Sequence, residues 1–178
     1  DIVSGLLLTH FAKKLEDGGQ PFPILQNSRD NTYVARSGLI GASGTDTAEG
    51  RPKFSIASTS FVLNDDQDTL TIDLALNDSG VRIVKRFTLS RNSYDIGVQY
   101  IINNGSSSDW NGTFYGQIKR DAKPPVTDVS GFSMQPFLGA ALRQPEKNYA
   151  KFDFSDIEDE SVKTSIEGGW VAMVQHYF

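Results

Sequence analysis

The sequence predicts an all-β protein built from antiparallel sheets. Three observations carry this: turn-forming clusters recur at short intervals, the stretches between them are rich in Val, Ile, Thr, Phe and Tyr, and several of those stretches alternate with the period of two that a half-buried strand requires. The clusters are EDGGQP (16–21), QNSRDN (26–31), GASGTDTAEGRP (41–52), NDDQD (64–68), NDSG (77–80), SRNS (90–93), NNGSSSDWNG (103–112) and KPP (123–125). Each concentrates the residues that tolerate turn geometry or bond their own backbone there.

Taken in chain order, LLLTHFAKKL (6–15) places Leu7, Phe11 and Lys14 at helical spacing but also reads as a buried strand. The strand is favoured because strands and loops surround it. The Gly/Thr/Ser stretch at 41–50 is a long surface loop of one domain, with no linker and no internal repeat anywhere. TLTIDLAL (69–76) alternates cleanly, with Leu70, Ile72, Leu74 and Leu76 on one face and Thr71, Asp73 and Ala75 on the other. VRIVKRFTLS (81–90) follows the NDSG turn, so 69–90 reads as a hairpin. YDIGVQYIIN (94–103) sets Ile96, Val98, Tyr100 and Ile102 against polar or small partners. GTFYGQIKR (112–120) is a further strand whose Gly116 suggests a bulge or a close contact. QPEKNYAKF (144–152) starts with Pro145 at a plausible first helical position and is expected to form two helical turns.

Composition narrows the function. The net charge of −5 comes from 22 acids against 17 bases spread along the chain. That argues against nucleic acid, whose binding needs a basic face to displace counterions, and against an anionic membrane surface. There is no cysteine, so disulfides, thiolate metal sites and nucleophilic Cys chemistry are excluded. No run approaches the roughly 18 apolar residues of a spanning helix, and no signal segment opens the chain. A periplasmic or extracellular location would therefore require a targeting signal that is removed or lies outside these residues.

Catalytic chemistry finds little to work with. His10 and His176 are the only histidines, at opposite ends, and form neither HxxxH nor HxH. Asp65, Asp66 and Asp68 belong to a turn, and Asp153, Asp156, Glu158, Asp159 and Glu160 lack the glycine and final ligand of a calcium loop. The second group reads as a solvated acidic loop. GFSMQ (131–135) puts Gln135 where a nucleophile elbow needs glycine, and no Gly-rich phosphate loop opens a helix. NGS (104–106) and NGT (111–113) fit the glycosylation sequon, as turns rich in those residues do by chance. The expectation is a non-enzymatic domain with no cofactor and no metal.

Several stretches together carry more. FTLSRNSYDIGVQYIINN (87–104), EKNYAKFDFSDI (146–157) and GGWVAMVQHYF (168–178) resemble, in that order and spacing, the large periplasmic domain of the YidC family of bacterial inner-membrane insertases, as do PFPILQ (21–26), SGL (37–39) and YGQIKR (115–120). Gly168, Gly169 and Trp170 open the most specific of these runs. The resemblance implies a β-supersandwich like that of galactose mutarotase, one domain over 1–178 that lacks its first and last strands. It also implies a periplasmic location in a Gram-negative inner-membrane protein, and service to an insertase that integrates nascent membrane proteins alone or with the Sec translocon. Contact with SecD/SecF is implied for about 133–178. There Tyr149, Phe152 and Phe154, expected on a short helix and its exit, are the candidate contact residues, although anchoring that helix to the sheet is the plainer role for aromatics.

Two other functions remain open at this level: a carbohydrate- or peptide-binding sandwich using a concave groove, and a chaperone-like apolar groove. Fold likeness alone grants neither. The final GGWVAMVQHYF, as a strand, places Trp170, Ala172, Val174 and His176 on one face and Val171, Met173, Gln175 and Tyr177 on the other. Both rows are largely apolar, so a central strand covered on both faces is expected, entered through two glycines.

Overall fold

The computed structural model describes residues 1–12, 21–123 and 137–175. Among them eleven strands and one helix follow one another: β1 (Gly5–Ala12), β2 (Pro21–Asn27), β3 (Thr32–Ile40), β4 (Ser55–Ile56), β5 (Thr69–Asp78), β6 (Val81–Ser90), β7 (Ile96–Asn104), β8 (Thr113–Arg120), β9 (Leu138–Gln144), β10 (Lys147–Asp153), α1 (Phe154–Asp159) and β11 (Val171–Gln175). The fold is of the predicted all-β class. Its sheets have the orders β1-β2-β3-β8, β4-β5-β6-β7 and β10-β9-β11. The chain divides into two compact units, one of residues 1–36 with 117–178 and one of residues 37–116.

In the 37–116 unit the sequence alternation translates directly into register. β5 and β6 pair antiparallel through ten residue pairs, from Thr69↔Ser90 to Asp78↔Val81. The turn between them is Ser79-Gly80, with φ of 49° and 83°. Positive φ at both central residues is what a type I′ turn demands, and its twist matches that of the strands it joins. β7 continues the sheet on the other side of β6, from Val81↔Asn104 to Leu89↔Ile96. The row Leu70-Ile72-Leu74-Leu76 thereby aligns with Ile83-Lys85-Phe87-Leu89 and with Ile96-Val98-Tyr100-Ile102. Ile83 at 1% exposure and Val84 at 7% mark the buried centre of β6. The two-residue β4 pairs with Ala75 and Leu74 of β5, an element the sequence did not announce.

In the other unit, LLLTHFA forms strand β1 against β2. β2 and β3 join through the Ser28–Asn31 turn, where the Ser28 N–H donates to the Asn31 carbonyl at 2.8 Å. Val34 is fully buried. β9 is the central strand of the small sheet, paired antiparallel with β10 through Asp153↔Gly139 to Lys147↔Gln144 and with β11 through Val171↔Leu142 to Gln175↔Leu138.

Four expectations are corrected. Residues 144–152 are not helical: Pro145 and Glu146 form the turn of the β9–β10 hairpin, because the fixed φ of proline suits a β-turn as well as a helix start. The helix lies one element later. Asp153 is its N-cap, the Asp153 carboxylate accepting from the Asp156 N–H while the Asp156 carboxylate accepts from the Asp153 N–H. The acidic stretch read as a solvated loop therefore contains a capping box, with a carboxylate serving at the third helical position. Of the two readings of Gly116, the close contact is not found: among the described residues a Cβ there would meet only the Phe114 ring edge at 4.0 Å. Finally, β11 is not covered on both faces: Val171 is 72% exposed and Trp170, just before the strand, 42%. Among the described residues β11 is an edge strand, and β9 takes the central place. His176 and Tyr177 lie outside the described residues.

Candidate functional site

The residues singled out beforehand gather on the small sheet of the 1–36/117–178 unit. Tyr149 and Phe152 stand on β10, not on a helix, and Phe154 is the first residue of α1. Phe152 and Phe154 are half-buried, as anchoring residues are, whereas Tyr149 is 56% exposed. Its ring packs against Trp170 with centroids 5.7 Å apart. The two are brought together because β10 and β11 both pair with β9. The backbone enters β11 through Gly168, whose φ of +65° L side chains rarely adopt. At Gly169 a Cβ would clash with Ile166. Arg143 fixes this entry from β9, its N–H donating to the Trp170 carbonyl at 3.1 Å and its guanidinium to the Gly168 carbonyl at 3.2 Å.

Two open grooves flank the 160–169 segment. One, of ≈650 Å³, is walled by Leu142, Val162, Ile166, Trp170 and Val171 with Arg143 and Lys163 at its edge, and among the described residues no carboxylate lines it. The other, of ≈910 Å³, is more polar, lined by Phe152, Lys151, Lys163 and the carboxylates of Asp156, Asp159 and Glu160. The first can take apolar side chains beside a negative charge. Exposed aromatic area next to a cation is characteristic of surfaces that bind other proteins.

A second cluster, in the 37–116 unit, was not singled out from the sequence. Lys85 is 3% exposed and lies in the inward row of β6 between Ile83 and Phe87. Its Nζ donates to the Ser37 carbonyl at 3.0 Å and sits 5.3 and 5.4 Å from the Phe87 and Tyr100 ring centroids. The Tyr100 hydroxyl donates to the same carbonyl at 3.0 Å, and the Arg51 Nη2 at 2.6 Å. Arg51 Nε also meets the Asp46 carboxylate at 2.9 Å, and the Tyr115 hydroxyl donates to that carboxylate at 2.7 Å. This bond, together with burial, raises the Tyr115 hydroxyl above its ordinary pKa. Gly38 makes the convergence possible, because a Cβ there would strike both Asp46 and the Tyr115 ring. A buried ammonium needs such partners to offset its desolvation. The network ties the 45–51 loop to β3, and its donors and acceptors are turned on one another.

Among the described residues no group of three His, Cys, Asp or Glu could hold a metal ion. His10 lies on β1, and His176 lies outside the described residues. Also among the described residues, no helix is long and apolar enough to cross a membrane.

The comparisons with known proteins agree along the whole chain. The family model described as YidC periplasmic domain matches residues 1–178. The chain is 50% identical over 178 residues to the membrane protein insertase YidC of Cellvibrio japonicus, covering all of this chain and 32% of that protein. It is 45% identical to the YidC of Saccharophagus degradans and 43% identical to that of Alcanivorax borkumensis, covering 31% of each. The chain thus spans about a third of the length of the curated relatives it matches. An antiparallel all-β architecture, the ordered sequence motifs and a match without gaps in coverage converge: the chain belongs to the YidC periplasmic domain family.

Proposed function

We propose that this chain is a non-catalytic docking domain, in the periplasm, of an inner-membrane protein insertase that integrates nascent membrane proteins alone or beside the Sec translocon. The observation that carries the family role is the full-length match to the periplasmic domain of named insertases. The docking reading is supported by the exposed Tyr149–Trp170 pair with Val171 beside an apolar groove edged by Arg143 and Lys163. An extended or helical segment that offers apolar side chains and a carboxylate suits such a groove, and the periplasmic regions of SecD/SecF are the partners proposed for it. Docking needs a stable shape and an exposed anchor rather than a reactive group, which accords with the scarcity of histidine and the absence of cysteine.

Co-purification tests this reading. The full-length insertase is expected to recover the SecD/SecF periplasmic regions, and a version lacking this domain is expected to recover less. Equal recovery from both would remove the docking claim while leaving the family assignment intact.

A further inference from the structure

A third cavity lies at one end of the 37–116 unit, where the β3–β4, β5–β6 and β7–β8 loops meet. Its volume is ≈360 Å³, at the small end of ligand pockets, which run from roughly 300 to 1,000 Å³. A cavity of this volume suits a single ring. The walls are held together by backbone bonds between loops: the Gly105 N–H donates to the Gly80 carbonyl at 3.0 Å and the Ser43 N–H to the Asn111 carbonyl at 2.7 Å. The Asn111 N–H returns a bond to the Ser43 hydroxyl at 3.1 Å. Trp110 lies against Gly112, where any Cβ would overlap its six-membered ring, so the glycine sets the place of the indole. The pocket is therefore shaped before any ligand arrives.

The lining chemistry is selective. Ile83 and its neighbour Val81 give an apolar floor, Trp110 an aromatic wall, and Ser43, Ser106, Asp78 and Asp109 a polar rim. Among the described residues no Lys, Arg or His lines it. Two carboxylates without a cation repel phosphate and carboxylate ligands. The Ser43 hydroxyl accepts from the Asn111 N–H and keeps its own proton to donate. The Ser106 hydroxyl donates to the Asn104 side chain and keeps acceptor capacity. Carboxylates accept strongly, so the rim suits a ligand bearing several hydroxyl groups around a ring with an apolar C–H face. We propose that this cavity binds a neutral polyhydroxylated ring, a pyranose sugar, with one face against Trp110 and its hydroxyls on the Ser43, Ser106 and Asp109 side. This site is independent of the docking groove, which lies on the other unit.

The test is amide chemical-shift mapping of the isotopically labelled chain, titrated separately with D-glucose, N-acetyl-D-glucosamine and choline chloride. The expected result is saturable shifts with at least one sugar, confined to residues 42–45, 78–83 and 106–112, and at least ten-fold weaker binding in both D109N and W110A. Each variant's spectrum reports directly whether its fold is retained, and D109N, at an exposed position, guards against a folding defect in W110A. A response to choline alone would assign the site to cations and overturn the proposal. No saturable response to either sugar, or shifts elsewhere that survive both variants, would also overturn it.

Discussion

Replacing Gly139 with alanine is expected to destabilise the unit that carries Tyr149 and Trp170 by about 2–4 kcal/mol. Gly139 lies in β9, opposite Asp153 of β10 and Val174 of β11. A Cβ at this position would lie 2.9 Å from both the Asp153 Cα and the Phe137 Cζ, against the 3.4 Å at which ordinary contact begins, and nearer still to the Phe152 carbonyl oxygen. Two of these neighbours are backbone atoms of the paired strand, so relief requires β9 and β10 to separate. Overpacking of this kind costs about 1–3 kcal/mol, and loosening a ladder hydrogen bond adds about 1 kcal/mol. For a chain of this size each kcal/mol lowers Tm by roughly 2–4 °C.

Urea unfolding followed by indole fluorescence measures the effect, with G116A as the control because, among the described residues, a Cβ at Gly116 would meet nothing nearer than the Phe114 ring at 4.0 Å. The control is expected to stay within about 0.5 kcal/mol of wild type, as surface substitutions do. Trp170 hydrogen-bonds to Arg143 of the same sheet, and with W110F as the common background, removing the indole of the 37–116 unit, it alone reports the affected unit. If G139A matched G116A in stability, the β9–β10 register would be wrong, and with it the juxtaposition of Tyr149 and Trp170.

Other expectations follow from particular contacts. Y100F removes one of three donors from the Ser37 carbonyl; because two remain, urea unfolding should show a loss of only about 1 kcal/mol. G80V places a β-branched residue at a φ of 83°, and thermal melts should show a loss of at least about 1–2 kcal/mol from the left-handed conformation. The Asp73 carboxyl is held below its ordinary pKa chiefly by the hydrogen bond from Arg86, and that of Asp153 chiefly by the Ser155 hydroxyl. Depressed folded-state values contribute stability above the unfolded-state value near 3.8 and lose it as the pH falls through the folded values. Because both groups are exposed and screened by solvent, melts from pH 5 to pH 2 should show a modest decline below about pH 4, and D73N should make that decline shallower.

How much of this was legible in the sequence differs from element to element. The β5–β6–β7 meander was readable residue by residue, because one half-buried face imposes a strict period of two and Ser79-Gly80 permits one turn type. Read with that register, the same pattern also held a clue that went unused: Lys85 shares the inward row of Ile83 and Phe87, and a lysine in an apolar row signals a buried network. Its partners were not legible, since Ser37, Arg51 and Tyr100 meet it only through tertiary pairing.

The 144–153 stretch misled because Pro145 followed by charged residues fits a helix start and a turn equally well, and only pairing with Gly139–Gln144 decides between them. The GGWVAM run gave its strand correctly but not its place in the sheet. Apolar residues on both faces predict cover on both; here, among the described residues, Trp170 and Val171 instead form an exposed patch at a sheet edge. Of the candidate contact residues, Tyr149 keeps the exposure a docking anchor requires, while Phe152 and Phe154 are half-buried.

The central claim, that the Tyr149–Trp170–Val171 surface is where this insertase domain docks its partner, meets its most direct test in one affinity measurement. Val171 is 72% exposed, so V171D places a carboxylate at the groove mouth with little effect on folding. Binding of the purified SecD/SecF periplasmic regions to immobilised full-length insertase is predicted to weaken at least ten-fold in V171D relative to wild type. An unchanged Kd, with the variant folded and the wild type binding, would contradict the account and move the docking surface elsewhere.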